Sequence, residues 1–294
     1  MSDAAPSIRV RVASAWLRTL FWVARHAPAL LRLFRPLVAI GVPIVSRKVR
    51  TNTRLNGLRV AGDSSIGFSR AVTGSFFDFI AEVASSADCS PQAVRDQVAG
   101  VEGEAAYMEV RRQKRGAVLV TAHMGSFEVG LAALTTVEPK IQVVFKRDEH
   151  DGFEQLRRPL RERLGVAECP IDDGWPVLMA LRDALGRDEI VVMQADRAMP
   201  GQKSASVKVG SGTLKIPVGP VRLAQINGSP IIPVFAVREA RGRFRIFLEP
   251  AIDPSADDAV EQVGKALGKF ITRYPRQWLV LDAAFVEDAN RGIR

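Results

Sequence analysis

The stretch Ala117-Val-Leu-Val-Thr-Ala-His123-Met-Gly125-Ser-Phe-Glu128-Val-Gly130 constrains the fold more than any other. It opens with small or β-branched apolar residues and no polar alternation. That is the pattern of a short strand buried on both faces, which belongs inside a mostly parallel sheet. Gly125 lets the chain turn out of the strand, and Ser126 is placed to cap a following helix. His123 then stands at the strand's carboxyl end, with Glu128 in the first helical turn. On one continuous helix, positions five apart point away from each other, so this pair can meet only across a strand, turn and helix junction. A carboxylate on one imidazole nitrogen fixes the tautomer and leaves the other nitrogen to take a proton from a hydroxyl. The expectation is a general base, His123, oriented by Glu128. A strand-end histidine is also a common satisfied polar group, so the rest of the chain must support the reading.

With 294 residues the chain has room for one large α/β domain or two smaller ones. It carries 41 Lys and Arg against 32 Asp and Glu, a formal charge of +9, and its pI is near 10.0. Such a balance favours an anionic partner: nucleic acid, a phospholipid surface, an acidic carrier protein or a phosphorylated substrate. The cysteines, Cys89 and Cys169, have neither disulfide-framework nor zinc spacing. The histidines, His26, His123 and His150, form no paired-ligand pattern, so no metal is expected.

Residues 1–60 read as an N-terminal membrane-interface helical segment and 61–294 as the α/β domain. From 9 to 35, aromatic residues and leucines alternate with Arg11, Arg18, Arg25 and Arg32, a seven-residue recurrence that makes one helical stripe. A basic stripe beside an apolar face fits a helix lying in a membrane interface; the alternative is a helix packed on the protein's own core. The uncharged stretch Pro36–Ser46 is well short of the roughly twenty residues that cross a bilayer. No small-residue cleavage site follows a compact apolar core, which disfavours a secretory signal. The basic run 47–59 reads as a headgroup-facing connector or a solvated helix end.

Further along, 65–87 is expected to form a buried or interface helix. Ser90-Pro91 starts another, and 102–114 forms a third that ends in cations and Gly116. After the opening strand a βα rhythm follows, with strands at 141–145, 189–194, 231–237, 243–248 and 278–281 and helices at 153–164, 176–185, 217–226 and 257–272. Alternation of this kind predicts an α/β fold whose mostly parallel sheet is covered by helices on both faces. Sites in such folds gather beyond the strands' carboxyl ends. That rule brings together His123, Lys146 with Arg147, and Asp196 with Arg197.

Rival motifs fail. Gly201-Gln-Lys203-Ser lacks the glycines of a phosphate-binding loop, and Gly67-Phe-Ser69-Arg-Ala71 lacks the second glycine of a serine-hydrolase elbow. No dinucleotide glycine pattern or nucleic-acid motif is present.

The residues do resemble a family. Ala-His123-Met-Gly125-Ser-Phe-Glu128 is similar to the His-x4-Asp/Glu motif of glycerolipid-type acyltransferases, in the form carried by the bacterial lipid A biosynthesis (lauroyl and myristoyl) acyltransferases. Gln194-Ala-Asp196-Arg197, the glycine and proline-rich run 208–220, Asn227-Gly-Ser-Pro230 to Phe235 and Tyr274-Pro-Arg-Gln277-Trp278 resemble later blocks of that family in the same order. Ser126 and Phe127 replace the usual Asn and Trp, Lys146 stands where an arginine is usual, and a clean transmembrane helix is lacking.

The resemblance implies that His123, held by Glu128, deprotonates a hydroxyl of a membrane lipid, which attacks the thioester of an acyl carrier protein or coenzyme A donor with no acyl-enzyme. Lys146, Arg147 or Arg197 and nearby amides are the expected oxyanion donors, while Asp196 orients an arginine or the turn. No further cofactor and no nucleic acid are expected. The implied location is peripheral, on an anionic membrane surface at the cytoplasmic face of the bacterial inner membrane. A non-catalytic lipid-binding protein and a serine-type lipid hydrolase are the alternatives.

Overall fold

The computed structural model describes residues 22–23, 28–86, 89–147, 152–199 and 201–293. From Pro28 onward the described residues begin with three helices: α1 (Pro28–Val45), α2 (Arg47–Ala61) and α3 (Ile66–Ser86). The Ser46 hydroxyl caps α2 by accepting from the Val49 N–H at 3.2 Å, and Gly62 ends it in the left-handed conformation at φ +65°. The run 47–59 is therefore ordered helix. The short α4 (Pro91–Arg95) follows, then β1 (Val98–Glu102) and α5 (Glu104–Arg111).

Around β2 (Ala117–Thr121) the chain winds through α6 (Phe127–Leu134), β3 (Ile141–Phe145), α7 (Gly152–Leu164), β4 (Ala167–Pro170), α8 (Trp175–Gly186) and β5 (Ile190–Gln194). A hairpin of β6 (Ser204–Val209) and β7 (Gly212–Pro217) comes next. It is followed by α9 (Gly219–Asn227), β8 (Ile231–Arg238), β9 (Phe244–Leu248) and α10 (Ala259–Arg273).

Among the described residues the sheet has seven strands in the order β1-β9-β8-β2-β5-β3-β4. β8, β2, β5, β3 and β4 are parallel, whereas β9 runs antiparallel to β8 and β1 follows β9. The fold is α/β, as expected. Its central strands are apolar on both sides because each face has its own core. Val118, Val120 and Val191 join Phe235, Phe270 and Trp278 on one face; Ala117, Leu119, Ile190 and Val192 join Leu131, Ile141 and Leu160 on the other.

Two local expectations are corrected, and one hairpin is an element that the sequence reading does not contain. The segment 102–114 is not one helix: Gly103, at φ +83°, separates β1 from α5, and a Cβ there would lie 2.0 Å from the Leu248 carbonyl oxygen. The glycine and proline-rich run 208–220 holds most of the β6–β7 hairpin, turned at Gly210. Its inward valines, Val207 and Val209, close on Gly264 and Gly268 of α10. Residues 278–281 form no sheet strand, because β2 is already flanked by β5 and β8; a single antiparallel bridge joins Trp278 to Met124 instead.

The N-terminal helices are tied to the body. Asn56 donates to the carbonyls of Val280 and Asp282 at 3.2 and 2.8 Å, and Arg59 pairs with the buried Asp288 at 2.9 Å. Arg11, Arg18 and Arg25 lie outside the described residues.

Candidate active site

The register of the sheet sets the site. Thr121 of β2 pairs with Gln194 of β5, so His123 and Asp196 each lie two residues beyond a matched pair at the same edge. His123 Nδ1 is 2.6 Å from Asp196 Oδ1. The second oxygen, Oδ2, accepts from the Trp278 indole Nε1–H at 2.8 Å. Asp196 is fully buried, and burial by itself raises a carboxyl's pKa. Attraction to and hydrogen bonding with His123, the Trp278 donor and the charge of Arg197 outweigh that penalty and bring it down to about 2. An ionised Asp196 makes Nδ1 the donor and leaves Nε2 as the free lone pair of the neutral ring. The His123 side chain is 34% exposed, so that nitrogen can be reached.

The turn that carries His123 is held on every side. Gly125, at φ +57°, leaves its Cα so close to β8 that a Cβ would stand 1.8 Å from the Ala236 oxygen. The Ser126 N–H donates to that same oxygen at 3.1 Å, and the Gly125 N–H donates to the Gln277 carbonyl at 3.0 Å. The Leu279 N–H donates to the His123 carbonyl at 2.7 Å. The Gln277 side chain in turn bonds both the N–H and the C=O of Arg238, each at 2.8 Å. The segment 277–279 is thus a strap that fixes the turn from outside the sheet.

Glu128 is placed elsewhere than expected. It is buried in the first turn of α6, and its oxygens accept from Arg161 of α7 at 2.8 and 3.3 Å, while Arg161 also donates to Glu168 at 3.0 Å. Burial pulls the Arg161 guanidinium's pKa down, but the two carboxylates more than reverse this. The physical reason for the difference is helix direction: Ser126 caps α6, accepting from the Val129 N–H at 3.4 Å, and this turns the Glu128 side chain toward α7.

Of the other expected site residues, Lys146 and Arg147 are exposed at the end of β3. Arg147 pairs with Asp173 at 3.0 Å through Nη2, and its N–H donates to Asp172 at 2.8 Å. Arg197 follows Asp196 and reaches Asp282 at 3.3 Å, with its Nε buried and lacking a hydrogen-bond partner. Asp196 orients the histidine. Sequence reasoning missed that role, along with Arg161 and the indole of Trp278. The one sequence signal for Asp196 was its position just after the largely apolar strand Ile190–Gln194.

Beside the turn lies a cavity of about 700 Å³. Thr121, Met124 and Phe127 line its near end, Leu119, Val192 and Val234 its sheet wall, and Leu134 and Val137 the far end along α6. Its size is that of a small-molecule site. At the far wall Tyr107 donates to Glu138 at 2.6 Å, and Arg111 holds Glu138 at 2.8 Å. Among the described residues no cluster of His, Cys, Asp and Glu forms a metal site.

Residues 70–286 match the family model of the bacterial lipid A biosynthesis acyltransferases. The chain belongs to that family. Relatives include the phosphatidylinositol mannoside acyltransferase of Mycobacterium tuberculosis (strain ATCC 25618 / H37Rv), 25% identical over 184 residues, 61% of this chain and 57% of the relative. A protein of the same name from Mycolicibacterium smegmatis (strain ATCC 700084 / mc(2)155) is 25% identical over 181 residues, 60% of this chain and 59% of the relative. The matches thus span less than two thirds of these relatives' own lengths. The acyltransferase family match covers β2, β5 and the strap, which hold His123, Asp196 and Trp278.

Proposed function

We propose that this protein transfers a fatty acyl group from a thioester, of acyl carrier protein or coenzyme A, to a hydroxyl of a membrane lipid. The observation that carries the reading is the His123–Asp196 pair at 2.6 Å, set beside a cavity lined by Leu119, Val192, Val234 and Leu134 and also by Arg95, Asp96, Glu104 and Arg243.

The Nε2 lone pair of His123 takes the proton of the acceptor hydroxyl as its oxygen attacks the thioester carbonyl. The C–S bond then breaks, and the imidazolium returns the proton to the departing thiolate. The products are an ester and a free thiol, with no acyl-enzyme. General base catalysis of this kind contributes roughly two to four orders of magnitude. Asp196 holds the tautomer and stabilises the imidazolium. The oxyanion falls to Arg197, since the Met124, Gly125 and Ser126 N–H groups are already bonded to Ala122, Gln277 and Ala236. Lys146 and Arg147 serve as rim cations toward an anionic headgroup or the donor.

The acyl chain occupies the cavity along α6. The acceptor is a sugar hydroxyl of a glycosylated lipid, a class that covers both the lipid A precursors of the family's description and the phosphatidylinositol mannoside in the relatives' names. The work is done at an anionic membrane surface, peripherally, on the cytoplasmic face of the bacterial inner membrane. Among the described residues no helix is long and apolar enough to cross a membrane.

The test is thioester-dependent acylation of lipid extracts read by mass spectrometry. Wild type is expected to transfer and His123→Ala to lose transfer while remaining folded. Undiminished turnover by His123→Ala overturns the mechanism, and a detected acyl-serine adduct replaces it with hydrolase chemistry.

A further inference from the structure

α1 is inside out for a helix of a water-facing surface. Its inner face packs on α3: Leu31 and Ala39 are buried, and Arg35 donates to Asp78 at 2.7 and 2.9 Å. Its outer face is apolar as well. Leu33, Phe34, Leu37, Ile40, Ile44 and Val45 are all exposed, with Leu33 at 68%, Leu37 at 66% and Val45 at 87%. At about 100° per residue these six fall within an arc of roughly 140°, so they form one continuous stripe. An exposed stripe of this kind marks an interaction surface.

Charge identifies what lies against it. Residues 1–62 hold 11 of the 41 Lys and Arg but only one of the 32 Asp and Glu, Asp3; the remaining residues carry 30 against 31. The whole of the +9 therefore belongs to the segment containing the stripe. Arg47 and Lys48 are exposed where α2 begins, directly after the end of α1. Arg50 donates to the Ile44 carbonyl at 2.9 Å and so satisfies the end of α1 beside the stripe. Apolar residues flanked by cations and free of acids match an anionic bilayer, apolar side chains among the acyl chains and cations among the phosphates. The corner also leads to the site: Lys48 pairs with Asp282 at 3.1 Å, and Asp282 pairs with Arg197, next to the carboxylate that holds His123.

We propose that α1 lies flat in the interfacial layer of an anionic phospholipid bilayer, stripe downward, and that the α1–α2 corner brings the rim of the His123 site to the lipid headgroups. This inference rests on the lipid-acyltransferase reading for its purpose, but its test needs no turnover. Full-length protein is mixed with vesicles of equimolar phosphatidylcholine and phosphatidylglycerol, or of phosphatidylcholine alone, and binding is measured by flotation. Binding is expected on the anionic vesicles and should weaken by roughly tenfold or more in the triple variant Leu33→Gln, Leu37→Gln, Ile44→Gln, with the unfolding midpoint unchanged. His123→Ala should bind as wild type does, so a failed acylation assay leaves this result standing.

Equal binding by the triple variant overturns the proposal, as does equal binding to both vesicles. A wild-type dimer that the triple variant converts to monomer assigns the stripe to a second copy and overturns it too. If the triple variant fails to fold, an environment-sensitive dye on Leu37→Cys, in a Cys89→Ser and Cys169→Ser background, decides the matter. Its emission should rise on anionic vesicles, and silence overturns the proposal.

Discussion

Two buried carboxylates flank the same turn and do different things. Asp196 meets a half-exposed histidine and an indole, while Glu128 meets an arginine that is as buried as itself. The first pair can exchange a proton with a bound molecule, because one partner opens to the outside. The second is shut in: Arg161 is always charged, Glu128 is its counter-ion, and α6 is locked to α7 and β4 through them. Spacing in the sequence favours Glu128 as the partner of His123, and the fold gives that place to Asp196, 73 positions away. A carboxylate near a histidine in sequence is thus a weaker guide than one at the same strand edge.

The sharpest way to break this contrast is to remove each group separately. His123→Ala is expected to lower kcat/KM by roughly two to four orders of magnitude with little change in the unfolding midpoint. Glu128→Ala should act on stability instead, by up to about 3–5 kcal/mol, because it leaves the buried Arg161 with Glu168 as its remaining carboxylate partner. Activity per folded molecule should then stay within a few-fold of wild type. Chemical denaturation combined with single-temperature kinetics separates the two. If Glu128→Ala stays folded and is as inactive as His123→Ala, the division is wrong. Replacing both partners, Glu128→Leu with Arg161→Met, should recover much of the lost stability, since the one carboxylate then left without the arginine, Glu168, is partly exposed to solvent.

A smaller effect probes the other side. Asp196→Asn keeps the size but loses the charge, and a fall in kcat of about a hundredfold is expected. It should also change the response to acid. The folded pKa of Asp196 is about 2, below its ordinary 3.8, so its ionised form adds stability that is fully present above about pH 4. That stability is lost as the pH falls through about 2. The shift corresponds to about 2 kcal/mol. Acid titration of the unfolding free energy should be flatter for Asp196→Asn in that window. An unchanged slope would mean that Asp196 is not held ionised by its partners.

Much of the fold was legible because β2, β5 and β8 are continuous apolar runs and Gly, Ser and Pro mark the helix ends around them. The α/β class, the parallel sheet and the position of His123 follow from those runs. The hairpin 204–217 was hidden because Gly210, Gly212, Pro217 and Gly219 mask an alternation that is plain once Val207, Val209, Leu214 and Ile216 are seen to point inward. The partner of His123 was hidden for a different reason. Local spacing offered one carboxylate five residues on, whereas the register that selects Asp196 depends on β5 inserting between β2 and β3, a choice no single segment records. Arg161 and Trp278 share that limit, since each acts across a long loop of chain.

Trp278 supplies the finest test, because its indole touches only the second oxygen of the carboxylate. Trp278→Phe keeps an aromatic ring against Phe285, whose centroid lies 5.9 Å away, and removes one N–H. If the tryptophan merely fills space, the variant loses some stability and kcat is unaffected in the folded fraction. If it positions Asp196, the carboxylate gains freedom to rotate off His123, and kcat should fall about tenfold, equivalent to about 1.4 kcal/mol, with KM unchanged. The downfield proton resonance of the His123–Asp196 hydrogen bond should broaden or move in the same variant. A Trp278→Phe protein with wild-type kcat and an unmoved resonance would reduce Trp278 to packing and leave the histidine and Asp196 as a pair that needs no third member.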